Sequence, residues 1–165
     1  MSVVETSRLT LRRLTATDAA DLVALLNSAA FLANVGDKGV RTLEDARAYV
    51  AGIQACYTHC GYGLYAVVRK ADEAFTGICG LLYREYLGET DIGYAMLPEY
   101  GGRGYASEAA AAILAYGRRR LGLARIVALI SPDNATSIRI AVKLGLSFEK
   151  TVSMSADGPQ VALYS

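Results

Sequence analysis

The stretch from Asp91 to Ala109 constrains the fold more than any other. It begins as a β-type segment, stops at Pro98, passes through Gly101, Gly102 and Gly104, and enters an alanine-rich run with no linker between. Proline cannot donate to a strand ladder, so the strand must end there. The glycines allow a turn that presents backbone amides. The free N–H groups of a helix start, with the aligned peptide dipoles behind them, favour an anion. The predicted unit is therefore strand, glycine-rich turn and helix, with a pyrophosphate as the kind of group it would cradle; a purely structural turn is the alternative. Neither the Walker pattern nor the Rossmann glycine spacing is present.

The rest of the chain predicts an alternation of strands and helices in one domain, residues 1–165, since no repeat or low-complexity linker divides it. Arg8 to Leu14 alternates like a first strand. Thr17-Asp18 and Thr42-Leu43-Glu44-Asp45 open two helices, the second running to about Tyr57. Between them, Phe31 to Val40 lacks a helical period and is predicted as an irregular loop. Leu64 to Val68, Thr76 to Arg84 and Glu89 to Leu97 form a short-linked meander. A helix from Gly104 to Leu121, a strand from Arg125 to Ile130, a helix from Asn134 to Leu144 and closing strands near Phe148 and Val161 complete the order. That order packs most simply as an α/β (α+β) domain, a mixed and mostly antiparallel sheet with helices on both faces.

Bulk properties narrow the function classes. A formal net charge of +1 gives no general attraction to nucleic acid or acidic membrane, and no apolar run is long enough to span a bilayer. The first residues lack the basic start and apolar stretch of a secretory signal, so a cytoplasmic chain is expected. Cys56, Cys60 and Cys79 have no zinc or redox spacing and are read as reduced, buried thiols. Cys56, His59 and Cys60 cluster without a fourth ligand, so no metal is expected. Arg118-Arg119-Arg120 before Gly122 is read as a helix C-terminus complementing its dipole.

Pro98 through Ala109 resembles the acetyl-CoA loop of the GNAT superfamily, especially the branch of ribosomal-protein N-terminal acetyltransferases. Pro132 to Arg139 with Lys143-Leu144-Gly145-Leu146 resembles that branch's Asn-x-x-Ser and Lys-Leu-Gly-Phe blocks, and Ser7 to Arg12 resembles its first strand. The resemblance implies direct attack of an amine on the thioester of acetyl-CoA in a ternary complex. It implies that backbone groups of Tyr94, Ala95 and Met96 hold the pantetheine arm, where the strand at 91–97 splays from the strand at 125–130. The amides of Gly102, Arg103, Gly104, Tyr105, Ala106 and Ser107 would cradle the pyrophosphate, and Asn134 would contact the CoA arm. The loop departs from the family in opening with Gly101 where Gln or Arg is usual.

The chemistry sets two further demands. An alkyl ammonium titrates near 10 and an α-ammonium near 8, so the acceptor must lose a proton; the departing thiolate resembles a cysteine thiolate near 8.5 and gains from a nearby acid. Ser137 matches the branch's proposed acid, with a polar first-turn residue of a capped helix as the alternative; Ala141 stands where other members carry a tyrosine. The branch's carboxylate base falls near Ala156, which leaves Asp91, Glu85, Glu89 and His59 as candidates, Asp91 sharing a sheet face with Gly93 and Ala95. The acceptor side is expected at Phe31 to Val40 and Tyr83 to Gly88. Three readings follow: transfer to a protein N-terminal amine, transfer to a small-molecule amine, or an inactive acyl-CoA-binding module. A homodimer is the default closed assembly.

Overall fold

A computed structural model describes residues 2–165. Strands β1 (Ser2–Glu5), β2 (Leu9–Arg13), β3 (Leu64–Arg69), β4 (Ala74–Arg84) and β5 (Glu89–Met96) form one antiparallel sheet in that order. Helices α1 (Ala19–Leu26), α2 (Ala29–Asn34) and α3 (Leu43–Cys60) lie between β2 and β3 in sequence. After β5 come α4 (Tyr105–Arg119), β6 (Ala128–Ile130), α5 (Ala135–Lys143), β7 (Phe148–Ser153) and β8 (Gln160–Tyr164), and the last three strands make a second sheet in the order β6-β8-β7.

The central strands read as near-continuous apolar runs, Leu64 to Val67 and Phe75 to Leu81, and both runs are buried. Burial of successive residues means that both sheet faces are covered, because neighbouring side chains point to opposite faces. β3 and β4 approach so closely that a Cβ at Gly80 would lie 2.1 Å from the Gly63 carbonyl oxygen, so only glycine fits there. α3 begins where its capping pattern predicts: Thr42 Oγ1 accepts from the Asp45 amide at 3.1 Å, and Asp45 Oδ2 accepts from the Thr42 amide at 3.0 Å.

Two expectations need correction. The segment from Phe31 is not loop throughout, because α2 occupies Ala29–Asn34, capped by Ser28 Oγ accepting from the Phe31 amide at 3.3 Å. A six-residue helix completes too few turns to show a period in sequence. Of the three thiols only Cys79 is buried; Cys56 is half-buried and Cys60 exposed.

The feature that positions the site is a parting of two strands. The Ile92 amide donates to the Val127 carbonyl at 2.8 Å, and the Val127 amide donates to the Thr90 carbonyl at 2.9 Å, a single parallel bridge between β5 and the residues leading into β6. Beyond it β6 pairs with β8 instead, and the two sheets open as a V. The predicted strand from Arg125 is correspondingly shorter, with only Ala128–Ile130 on a ladder.

Candidate active site

The V is occupied by two cavities. A groove of about 500 Å³ runs past the glycine-rich loop and the first turns of α4 and α5, and a pocket of about 240 Å³ lies between β4, β5, β6 and the segment after α2. Tyr94, Ala95, Asn134, Ser137 and Asn34 line both. A molecule in each would meet at the point where β5 parts from β6.

The groove has the character of an anion site. After a short turn at Pro98–Tyr100, Gly102 and Gly104 take left-handed φ values of 71° and 79°, and α4 starts at Tyr105. Among the described residues, the amides of Gly102 through Ser107 donate no hydrogen bond within the chain. Those at the start of α4 lie beyond the reach of any helical acceptor, at the positive end of the dipole. These free donors beside the groove fit an anion such as a diphosphate. Arg103 is the exception among the predicted cradle residues: it is absent from the groove wall, and its carbonyl accepts from Arg8 Nη1 at 2.9 Å.

β5 supplies the next segment of the groove. Because Thr90 and Ile92 direct their backbone groups toward β6, alternation directs those of Tyr94 and Met96 the same way, past the point where β6 has left. Their N–H and C=O groups are therefore free to meet a ligand. Ala95 does not follow the predicted role: it lines both cavities, but its backbone groups face β4. Asn134 caps α5, its Oδ1 accepting from the Ser137 amide at 3.2 Å, which leaves its Nδ2 for the cleft.

At the junction the Tyr94 phenol lies 2.9 Å from Ser137 Oγ and 3.2 Å from the Ser137 carbonyl. Burial raises the Tyr94 phenol above its ordinary value, and the Ser137 hydrogen bond offsets part of that. The pair joins β5 to the first turn of α5. Ala141, where the resemblance would place a tyrosine, is buried in α5 and carries no donor.

Asp91 lies in the smaller pocket and is 4% exposed. Arg84, diagonally opposite on β4, donates through Nε to Asp91 Oδ2 at 2.7 Å. Burial pushes the carboxyl up to about 6, against the opposing pull of Arg84 and Lys38. Oδ1 has no partner in the chain and is not sealed off, since no buried side-chain oxygen among the described residues lacks a hydrogen bond. The other carboxylates lie elsewhere: Glu89 pairs with Arg125 at 3.0 Å outside the cleft, and Glu85 is exposed. His59 is exposed on α3, its Nδ1 2.8 Å from the Ala55 carbonyl, and Ala156 is exposed between β7 and β8. Of the two segments expected to face the acceptor, Phe31, Val35 and Lys38 line the pocket, whereas Arg84 alone does so from the 83–88 turn.

The first strand block and the loop block are tied together. Glu108 accepts from Arg8 Nε at 2.7 Å, from the Arg8 amide at 3.1 Å and from Thr6 Oγ1, while the Arg8 guanidinium lies 4.6 Å from the Tyr105 ring centroid. Arg8 thus holds both the loop carbonyl of Arg103 and the first turn of α4. These side-chain links were not evident in the sequence.

Comparison with known proteins matches residues 8–147 to the Acetyltransferase (GNAT) domain. This chain belongs to the GNAT acetyltransferase family. An uncharacterized N-acetyltransferase of Bacillus subtilis, YnaD, is 35% identical over 114 residues, 68% of this chain and 64% of that protein's length. A GnaT-family acetyltransferase from Bordetella pertussis superposes with a TM-score of 0.81 at 25% identity, over 99% of this chain and 98% of that one. The fold is also that of a ribosomal L7/L12 α-N-protein acetyltransferase, RimL, solved with coenzyme A, at a TM-score of 0.84 and 21% identity over 99% and 96% of the two chains. The GNAT domain's acetyl-CoA-dependent N-acetyl transfer is accordingly the reaction class of this enzyme.

Proposed function

We propose that this GNAT enzyme acetylates a primary amine by direct attack in a ternary complex at the parting of β5 and β6. The observation that carries the reading is the meeting of the amide-lined groove and the Asp91 pocket at Tyr94, Ala95, Asn134 and Ser137. When bound, acetyl-CoA supplies the acetyl thioester and leaves as the thiol. The amides from Gly102 and Gly104 to Ser107 would hold its diphosphate, and the free backbone groups of Tyr94 and Met96 its pantetheine arm.

Asp91 takes the proton that the ammonium must lose. A carboxylate that titrates at about 6 is ionised at neutral pH yet far more basic than an ordinary aspartate, which suits a base acting on an amine. The Tyr94–Ser137 pair gives a proton to the departing sulfur as the carbon–sulfur bond breaks and the carbon–nitrogen bond forms, and the second proton lost by the attacking nitrogen restores the pair. Asp91 returns its proton to solvent in the next cycle.

The buried, partly unengaged carboxylate supports this catalytic reading over an inactive acyl-CoA-binding module, which would have no use for it. The test is thiol release from acetyl-CoA over a panel of N-terminal peptides, polyamines and aminoglycosides, with mass spectrometry of the products. Acetylated product identifies the acceptor class; tight CoA binding with no acetylated product from any amine contradicts the proposal.

A further inference from the structure

The charged groups that line the smaller pocket, among the described residues, are Lys38, Arg84 and Asp91. Asp91 and Arg84 are already paired at 2.7 Å, so their charges offset one another. Lys38 makes no ion pair or hydrogen bond to any described residue. Loss of part of its hydration and the neighbouring Arg84 charge lower its ammonium below the ordinary lysine range, against the pull of Asp91. Lys38 is solvent-exposed where it lines the pocket and no described side chain bonds its ammonium, so an incoming anion meets an unengaged donor. Arg84 uses only Nε on Asp91, which leaves its terminal nitrogens as unengaged donors on the same wall.

With Asp91 ionised, the pocket carries one surplus positive charge, and a bare ammonium would bring a second. An amine that also bears an anion brings no net charge and supplies a partner for Lys38 and for the unengaged terminal nitrogens of Arg84. The remaining wall includes Phe31, Val35, Leu82 and Tyr49, which suit the carbon frame of a small molecule. A volume of about 240 Å³ lies below the range of drug-sized sites, so the occupant is one small molecule or one chain end.

We infer that the acceptor is a zwitterionic amine, with its carboxylate seated on Lys38 and the free Arg84 nitrogens while its nitrogen faces the junction of the two cavities. This rests on the acetyl-transfer reading for the role of the amine, but the anion seat is a property of the pocket itself. The two sources of that chemistry are a free amino acid and a peptide whose first residues carry an acidic side chain.

Calorimetry on the CoA-saturated protein tests the seat without requiring turnover. The probes are γ-aminobutyrate and its amide, the peptides Ala-Glu-Ala-amide and Ala-Gln-Ala-amide, and the diamine putrescine. A carboxylate-bearing probe is expected to bind about tenfold more tightly than its amide, with the difference lost in Lys38→Met and the coenzyme affinity unchanged. Preference within the γ-aminobutyrate pair points to a free amino acid, and within the peptide pair to an acidic chain end. Equal or tighter binding of the amides or of putrescine, or no binding of any probe, overturns the inference. Loss of the preference in wild type is distinct from loss of acetyl transfer: a carboxylate preference with no acetylated product would retain the seat and remove the transfer reading.

Discussion

Replacing Asp91 with asparagine keeps the shape of the side chain and removes its charge, so chemistry and stability should respond in opposite directions. Burial raises this carboxyl from 3.8 to about 6. At 1.36 kcal/mol per pH unit, ionising it in the folded protein costs about 3 kcal/mol more than in the unfolded chain at pH 7. The sign follows directly: a raised carboxyl contributes stability that is fully present below about pH 4 and is lost as pH rises through about 6. Asp91→Asn should therefore lose that pH-dependent decline, so that its stability relative to wild type is greater at pH 7.5 than at pH 4.5. The same variant should lower kcat by about 100-fold or more, the usual yield of a positioned base. In wild type, kcat/KM should rise through about pH 6 and that limb should vanish in the variant. Urea melts at the two pH values and a pH–rate profile check both halves. A variant with wild-type kcat and an unaltered ascending limb would refute the assignment of Asp91 as base.

Four further outcomes follow from the geometry. Gly104→Glu should abolish CoA binding by calorimetry, because φ is 79°, a Cβ would lie 3.3 Å from Arg8 Nη2, and a carboxylate would face the diphosphate. Tyr94→Phe and Ser137→Ala should each lower kcat by about tenfold, less than a lone acid would give because the partner hydroxyl survives, while CoA affinity stays within about twofold. Glu108→Ala should weaken CoA binding by about tenfold, through Arg8 and Thr6 losing their shared acceptor, with kcat at saturating acetyl-CoA retained. Gly80→Ala should destabilise by about 3 kcal/mol or more in a thermal melt, since its Cβ would strike the Gly63 carbonyl at 2.1 Å.

The course of the glycine-rich loop was legible in the sequence because it depends on backbone, and backbone requirements show as Pro98 at the strand end and as Gly102 and Gly104 at the positive-φ positions. The capping box at Thr42 and Asp45 and the short-linked meander were legible for the same local reason. What escaped depends on contacts between distant segments. The Tyr94 phenol meets Ser137 across 43 residues, Glu108 holds Arg8 across 100, and Lys38 reaches the pocket from the segment after α2. Asp91 was one carboxylate among three on or beside the meander; the hairpin register sets it against Arg84 in the cleft and sends Glu89 to Arg125 outside it. That register could have been drawn from the Gly88 turn, whereas the burial that raises Asp91 required the three-dimensional packing.

Initial rates over a matrix of acetyl-CoA and acceptor concentrations, with mass spectrometry of the product, test most directly whether two ligands meet where β5 parts from β6. Direct transfer in a ternary complex predicts intersecting reciprocal plots, an N-acetylated amine and one thiol released per acetyl group transferred. Parallel plots with an acetylated protein intermediate, or thiol release without N-acetylated product, would contradict it.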